Sequence, residues 1–239
     1  MQKLSICPLN QAAAAQKVTD IMPVKRLSCV LLAAGLSARM GAENKLLITI
    51  EGQSLVRRTA ELLVNYGLDE IVVVLGHEAS LVSNELLGLP LTLVENHHYQ
   101  EGQMTSVYAG VKALSKKTDG IIIYLSDLVL LEKVDLRAMH LAFDECKTSI
   151  LVPQYLGERG NPIILAYSQR QAILNGEKNL GCRKLIQKQP QEITVFEADN
   201  DHVTFDLDTP EALESLWQRL QRKEHHKHNN TQQADNGVE

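Results

Sequence analysis

Hydrophobic residues in this chain fall into two alternating kinds of segment. Leu27–Ala33 (LSCVLLA), Glu70–Leu75 (EIVVVL) and Ile121–Leu125 (IIIYL) are short, nearly continuous apolar runs. Runs of that length and composition predict strands buried on both faces. Leu91–Glu95 (LTLVE) and Ile150–Pro153 predict two more. Between them, Ser54–Tyr66, Ala79–Leu87, Thr105–Leu114 and Val134–Cys146 read as helices, the first stopped by Gly67. Strands alternating with helices predict parallel βαβ units with right-handed crossovers. The expected fold is therefore α/β and Rossmann-like: one domain, a mostly parallel central sheet, helices on both faces. Open sheets of this kind bind ligands at the carboxyl ends of their strands. The loops after LSCVLLA and IIIYL are the places to search.

The second half is less regular. Pro162–Tyr167 and Ile193–Glu197 predict strands, and Gln169–Leu174 and Cys182–Lys188 short helices. His202–Leu213 (HVTFDLDTPEAL) reads as a strand carrying Asp206 and Asp208 into a terminal helix over Thr209–Arg222. Thr209 suits the N-cap, Pro210 the first turn, and Glu211 the helix dipole. Residues 223–239 are polar and rich in His, Asn and Gln, which predicts a disordered tail in which His225, His226 and His228 bind nothing specific. Residues 1–25 predict a poorly ordered extension: charge is sparse, and Asn10 and Gln11 interrupt the apolar run a secretory signal needs. The folded domain is expected over 26–222.

Composition narrows the function classes. The net charge of −5 over 239 residues argues against a nucleic-acid binder, which would present a basic face. A locally basic pocket for a small anion remains compatible with it. No run of 18 apolar residues exists, so no membrane span is expected. Cys7, Cys29, Cys146 and Cys182 form no C-x-x-C pair and predict reduced thiols in a cytoplasmic protein.

Three stretches carry candidate chemistry. After the first strand, Leu32, Ala33, Ala34 and Gly35 are small or apolar, and Gly35 lets backbone N–H groups come close to phosphate oxygens. Arg39 can fork onto phosphate, and Lys45 supplies a compact positive charge. The loop is neither a Walker A loop nor G-x-G-x-x-G. Asp127 directly follows the fourth buried strand, where a carboxylate can hold Mg²⁺ beside the same pocket. Asp206 and Asp208, two apart on an extended strand, point the same way and could complete that site. Either could equally be a capping or solvated aspartate.

The string Leu31–Lys45 (LLAAGLSARMGAENK) resembles the nucleotide-binding loop of the nucleotidyltransferase superfamily, in which Arg and Lys contact the triphosphate. Arg39 and Lys45 fall on those positions. The nearest resemblance is to the molybdenum cofactor cytidylyltransferases of the MobA-like NTP transferase family. It rests also on Asn96–Gly110 (NHHYQEGQMTSVYAG), Tyr155–Pro162 (YLGERGNP) and Gly181–Ile186 (GCRKLI). It spans roughly residues 27–220 and implies the nucleotide-diphospho-sugar transferase type of sheet.

The resemblance implies Mg²⁺ on Asp127 and on Asp206 or Asp208, with Lys45, Arg39 and Asp127 catalytic. Ser106 would donate to the nucleotide, and Arg159, Gly160, Asn161 and Arg183 would face the acceptor. CTP is the implied donor, since Ala34 gives the L-A-A-G form. A molybdopterin-type cofactor is the implied acceptor, with a molybdoenzyme receiving the product. The chain departs from the family at Ser126-Asp127-Leu128-Val129, where G-D-x-P is usual, so the loop after the aspartate is expected to differ. Two other readings are transfer to a sugar or polyol phosphate, and a non-catalytic cofactor-binding chaperone.

Overall fold

A computed structural model describes residues 5–6, 23–37, 44–176 and 190–235. Arg39 and Arg183, and the helix expected over 182–188, lie outside the described residues. In chain order the main elements are β1 (Ser5–Ile6), β2 (Leu27–Ala33), β3 (Thr49–Ile50), β4 (Gln53–Ser54), α1 (Leu55–Tyr66), β5 (Glu70–Leu75), α2 (Ala79–Glu85), β6 (Thr92–Glu95) and α3 (Gln103–Ala113). There follow β7 (Gly120–Leu125), α4 (Lys133–Asp144), β8 (Ile150–Tyr155), β9 (Glu158–Arg159), β10 (Ile163–Ala166), α5 (Arg170–Leu174), β11 (Ile193–Glu197) and α6 (Pro210–Asp235).

The main sheet has the order β1-β11-β8-β10-β7-β2-β5-β6, and β9 pairs with β8. Pairings are parallel except at β10, which is antiparallel to both β7 and β8, and at the β8–β9 hairpin. β2 lies between β5 and β7. The chain leaving β2 passes to β5, whereas the chain leaving β7 passes towards β8 on the other side. Connections diverging from two adjacent parallel strands open a crevice at their carboxyl ends.

The continuous apolar runs have a direct structural cause. Along β2, Leu27, Cys29, Leu31 and Ala33 face one core, with Val56, Ala60 and Leu63 of α1 and Leu136, Met139 and Phe143 of α4. Val30 and Leu32 face the other, with Val107 and Val111 of α3 and Ile173 of α5. Every side chain of β2 is buried because helices cover both faces. A third cluster joins Ile50, Leu55, Leu130, Leu207 and Leu216, and fixes α6 against the β3–β4 hairpin.

One expectation is corrected, and two elements extend past the bounds expected for the domain. The strand expected to carry Asp206 and Asp208 does not form. Asp201–Val203 is instead one 3-10 turn, and the Asp208 N–H bonds to the Asp206 carbonyl at 3.1 Å, bending the backbone. The terminal helix runs Pro210–Asp235, beyond the end expected for it at Arg222. Neither Gly nor Pro occurs between Glu211 and Asn236 to stop it. Within the expected N-terminal extension, Ser5–Ile6 adds to the sheet edge beside Thr194 and Val195 of β11. No helix among the described residues is long and apolar enough to cross a membrane.

Helix α3 lies close to the sheet because Gly110 faces it. A Cβ there would sit 2.2 Å from Val30 Cγ1 and 2.8 Å from Val74 Cγ2, inside any tolerable contact. Gly110→Ala is expected to destabilise the fold by roughly 1–3 kcal/mol through overpacking. The midpoint of urea unfolding should fall with the slope unchanged. An unaltered midpoint would show that α3 can shift at no cost.

Candidate functional site

A cavity of about 330 Å³ occupies the crevice. Leu32, Ala34, Gly35, Leu36 and Ser37 from the end of β2 form one wall, and Leu125, Ser126 and Asp127 from the end of β7 another. Lys45 and Asp208 close it on the side of the α1/α4 core, and Tyr99, Gln103 and Ser106 line it from α3 and the turn before it.

At its centre the Lys45 ammonium bridges two carboxylates. Lys45 Nζ is 2.6 Å from Asp127 Oδ2 and 2.5 Å from Asp208 Oδ1. Only 10% of the Lys45 side chain is exposed. Burial is the largest single influence on Lys45 and favours the neutral amine. Charge attraction and hydrogen bonding from Asp127, then from Asp208, together outweigh it and hold the Lys45 pKa above its ordinary value. One ammonium between two carboxylates leaves a net negative charge, so the cluster retains capacity for further cation.

Backbone geometry brings these distant residues together. The Leu207 N–H donates to the Asp127 carbonyl at 3.2 Å, tying the 206–208 segment to the end of β7. The Ala212 N–H donates to Thr209 Oγ1 at 3.2 Å, so Thr209 caps α6 and Asp208 is not needed there. Asp208 lines the cavity, whereas Asp206 is exposed and does not. On the β2 side, Ser37 adopts the left-handed region (φ 52°). Its Oγ accepts from the Lys45 N–H at 3.2 Å, and Asn44 Oδ1 accepts from the Leu46 N–H at 3.1 Å. These bonds close the base of the loop and aim Lys45 inward. Ser37 and Asn44 carried no recognised role in the sequence. Asn44 shows there only as a polar residue beside a lysine.

The departures in Ser126-Asp127-Leu128-Val129 have local explanations. Ser126 Oγ donates to the Leu32 carbonyl at 2.7 Å, clamping the ends of β7 and β2 together. The Val129 N–H donates to the Asp127 carbonyl at 3.0 Å, a bond proline could not make. Leu128 is buried in the core.

Of the acceptor-side residues, Arg159, Gly160 and Asn161 do not line this cavity. They sit where the β8–β9 hairpin meets residues 201–203. The Gly160 N–H bonds to the Pro153 carbonyl, and the Asn161 N–H to the Val203 carbonyl, both at 2.8 Å. A Cβ on Gly160 would lie 2.3 Å from the Val203 carbonyl oxygen. The close approach that Gly160 permits is therefore to the chain itself.

Whether a hydrated Mg²⁺ suits the cavity can be tested on its donors. Two carboxylates beside a phosphate-sized space match an ion that takes one or two carboxylates plus phosphate and water. The Lys45 ammonium already sits between them as a single positive charge. Asp127 Oδ1 is buried with no hydrogen-bond partner among the described residues, leaving lone pairs for a cation. The residues present fit the ion.

Because its folded pKa is raised, Lys45 contributes stability in full below the unfolded value of about 10.4. That contribution is lost as pH rises through the folded value. Unfolding free energy should decline more steeply above pH ~10.4 in the wild type than in Lys45→Met. Identical alkaline slopes would show that the bridge adds no net stability.

Residues 29–193 match the family described as the MobA-like NTP transferase domain. The nicotine blue oxidoreductase of Paenarthrobacter nicotinovorans is 27% identical over 194 residues, covering 78% of this chain and 94% of that protein. A nucleotidyl transferase from Methanothermobacter thermautotroptrophicus superposes with a TM-score of 0.71 at 20% identity, over 83% of this chain and 99% of the other. Rv0371c from Mycobacterium tuberculosis H37Rv superposes at 0.68 with 23% identity, over 80% and 97%. These two structural likenesses concern the fold.

Proposed function

This chain belongs to the MobA-like NTP transferase domain family, and we propose that it transfers CMP from CTP to the phosphate of a molybdopterin-type cofactor, releasing pyrophosphate. The observation that carries the reading is the Lys45 ammonium held between Asp127 and Asp208 in the crevice beside the Ala34–Ser37 loop.

In the reaction an acceptor phosphate oxygen bonds to the α-phosphorus. The bond from that phosphorus to the oxygen bridging to the β-phosphate breaks, and pyrophosphate departs. The acceptor is already anionic at neutral pH, so no protein nucleophile is required. The protein's contribution is positioning and charge. Gly35 lines the cavity, and a Cβ added to it would meet nothing within 4 Å, so that side of the loop is open to a phosphate chain. Lys45 donates to triphosphate oxygens as charge builds on the leaving group, and Arg39 adds a second cation from the same loop. Asp127 and Asp208 would hold Mg²⁺, which when bound supplies charge neutralisation on the phosphate oxygens. Ser106, across the cavity, donates to the nucleoside.

A second reading shares the chemistry and changes the acceptor to a sugar or polyol phosphate. It is favoured by the placement of Arg159, Gly160 and Asn161 outside the cavity lining, so that none of the described acceptor-side residues reaches the cavity.

A pyrophosphate-release assay with CTP, GTP, ATP and UTP, run with molybdopterin cofactor, with sugar and polyol phosphates and without acceptor, separates the two. Asp127→Asn and Asp208→Asn should each lower turnover by about 100-fold or more. Asp206→Asn should stay near wild type. Near-normal turnover by Asp127→Asn would overturn the assignment, and cofactor binding without turnover would mark a carrier.

A further inference from the structure

Across the cavity from Lys45, a side-chain relay controls which way one hydroxyl can bond. Asn96 follows β6 and is 5% exposed. Its Oδ1 accepts the His98 N–H at 3.0 Å. A backbone N–H can only donate, so this contact fixes which end of the amide is oxygen. The Asn96 amide nitrogen must then point the other way. It donates to Thr105 Oγ1 at 2.8 Å and to Ser106 Oγ at 2.9 Å.

The two hydroxyls differ in what remains to them. Thr105 Oγ1 spends its hydrogen on the His98 and Gly102 carbonyls, at 2.9 and 2.8 Å. Ser106 is 4% exposed and lines the cavity, and its Oγ makes no other hydrogen bond among the described residues. Asn96 occupies one of its lone-pair directions and leaves its O–H to the cavity.

We infer that Asn96 is a positioning residue that presents Ser106 as a hydrogen-bond donor, so that the site selects nucleotides offering an acceptor oxygen at that point. The acceptor is a base carbonyl such as the pyrimidine 2-oxo group. The guanine Watson–Crick edge, which presents N–H groups over most of its width, meets an O–H pointed at its own hydrogens. This inference rests on the nucleotidyltransferase reading of the cavity. It adds that base choice is set one residue behind the residue that touches the nucleotide.

The test uses nearly isosteric replacement. Asn96→Asp puts a second acceptor where the amide nitrogen stood, and Ser106 must then turn its hydrogen back onto the carboxylate. Titration calorimetry with CTP, dCTP, UTP, GTP and ATP should show CTP affinity reduced about 5- to 10-fold in both Asn96→Asp and Ser106→Ala, the scale of one neutral hydrogen bond. The preference for CTP over GTP should narrow by the same factor. The double variant should be no weaker than either single one, since both remove the same donor. Should the charged replacement fail to fold, Asn96→Ala frees the hydroxyl to rotate and should give a smaller loss in the same direction.

Thr105→Val, which removes the other partner of Asn96, should leave base preference unchanged. A CTP loss that persists with dCTP supports a contact to the base, and one that disappears with dCTP places the contact on the ribose 2′-hydroxyl and would overturn the role in base choice. Unchanged selectivity in folded Asn96→Asp and Asn96→Ala, with Ser106→Ala impaired, would overturn the positioning role while leaving the nucleotide site intact. No nucleotide binding by the wild type would instead overturn the underlying reading.

Discussion

Two carboxylates and one ammonium, drawn from three distant parts of the chain, share one small volume, and the described geometry of the cavity depends on that contact. Asp127 and Asp208 carry like charges that would repel if left alone in a partly buried crevice. Lys45 offsets one of them and remains charged despite its burial. On the proposed function, this balance suits a polyanion that arrives with further cation. The same arrangement would be costly in a protein that bound only neutral molecules, because each buried charge has given up hydration.

Rigid surroundings hold the trio. Asp127 stands at the end of a strand paired in parallel with β2, and Ser126 clamps the two strand ends through the Leu32 carbonyl. The Asp208 segment is anchored by one backbone bond from Leu207 to Asp127 and by the burial of Leu207 beneath α6. Lys45 follows a loop whose base is closed by Ser37 and Asn44. Each charged group thus leaves a segment pinned by hydrogen bonds of its own, which is how a fold holds like charges close together.

Helix α3 supplies the opposite wall by the same logic. Gly110 lets it lie flat on β2 and β5, which sets where Ser106 stands, and Asn96 then sets which way Ser106 bonds. Side chains that never reach a ligand therefore share control of the cavity with those that do.

Much of this was legible in the amino-acid sequence, and what was legible is local. Continuous apolar runs identify β2, β5 and β7, because strands covered on both faces need no polar alternation. The order of strands and helices identifies the doubly covered sheet and the strand ends where ligands bind. Asp127 stands out because it sits just beyond such a strand, and Lys45 because it ends the glycine-containing loop that follows another. The tertiary structure decided what depends on contacts across the chain. Two-residue periodicity put Asp206 and Asp208 on one face, but the backbone bends between them and Thr209 takes the cap, so only Asp208 reaches the cavity. Gly160 suggested room for a ligand and instead admits the Val203 carbonyl. The ion-pair bridge itself joins residues 82 and 163 positions apart, and no local pattern in a single sequence encodes such a pairing.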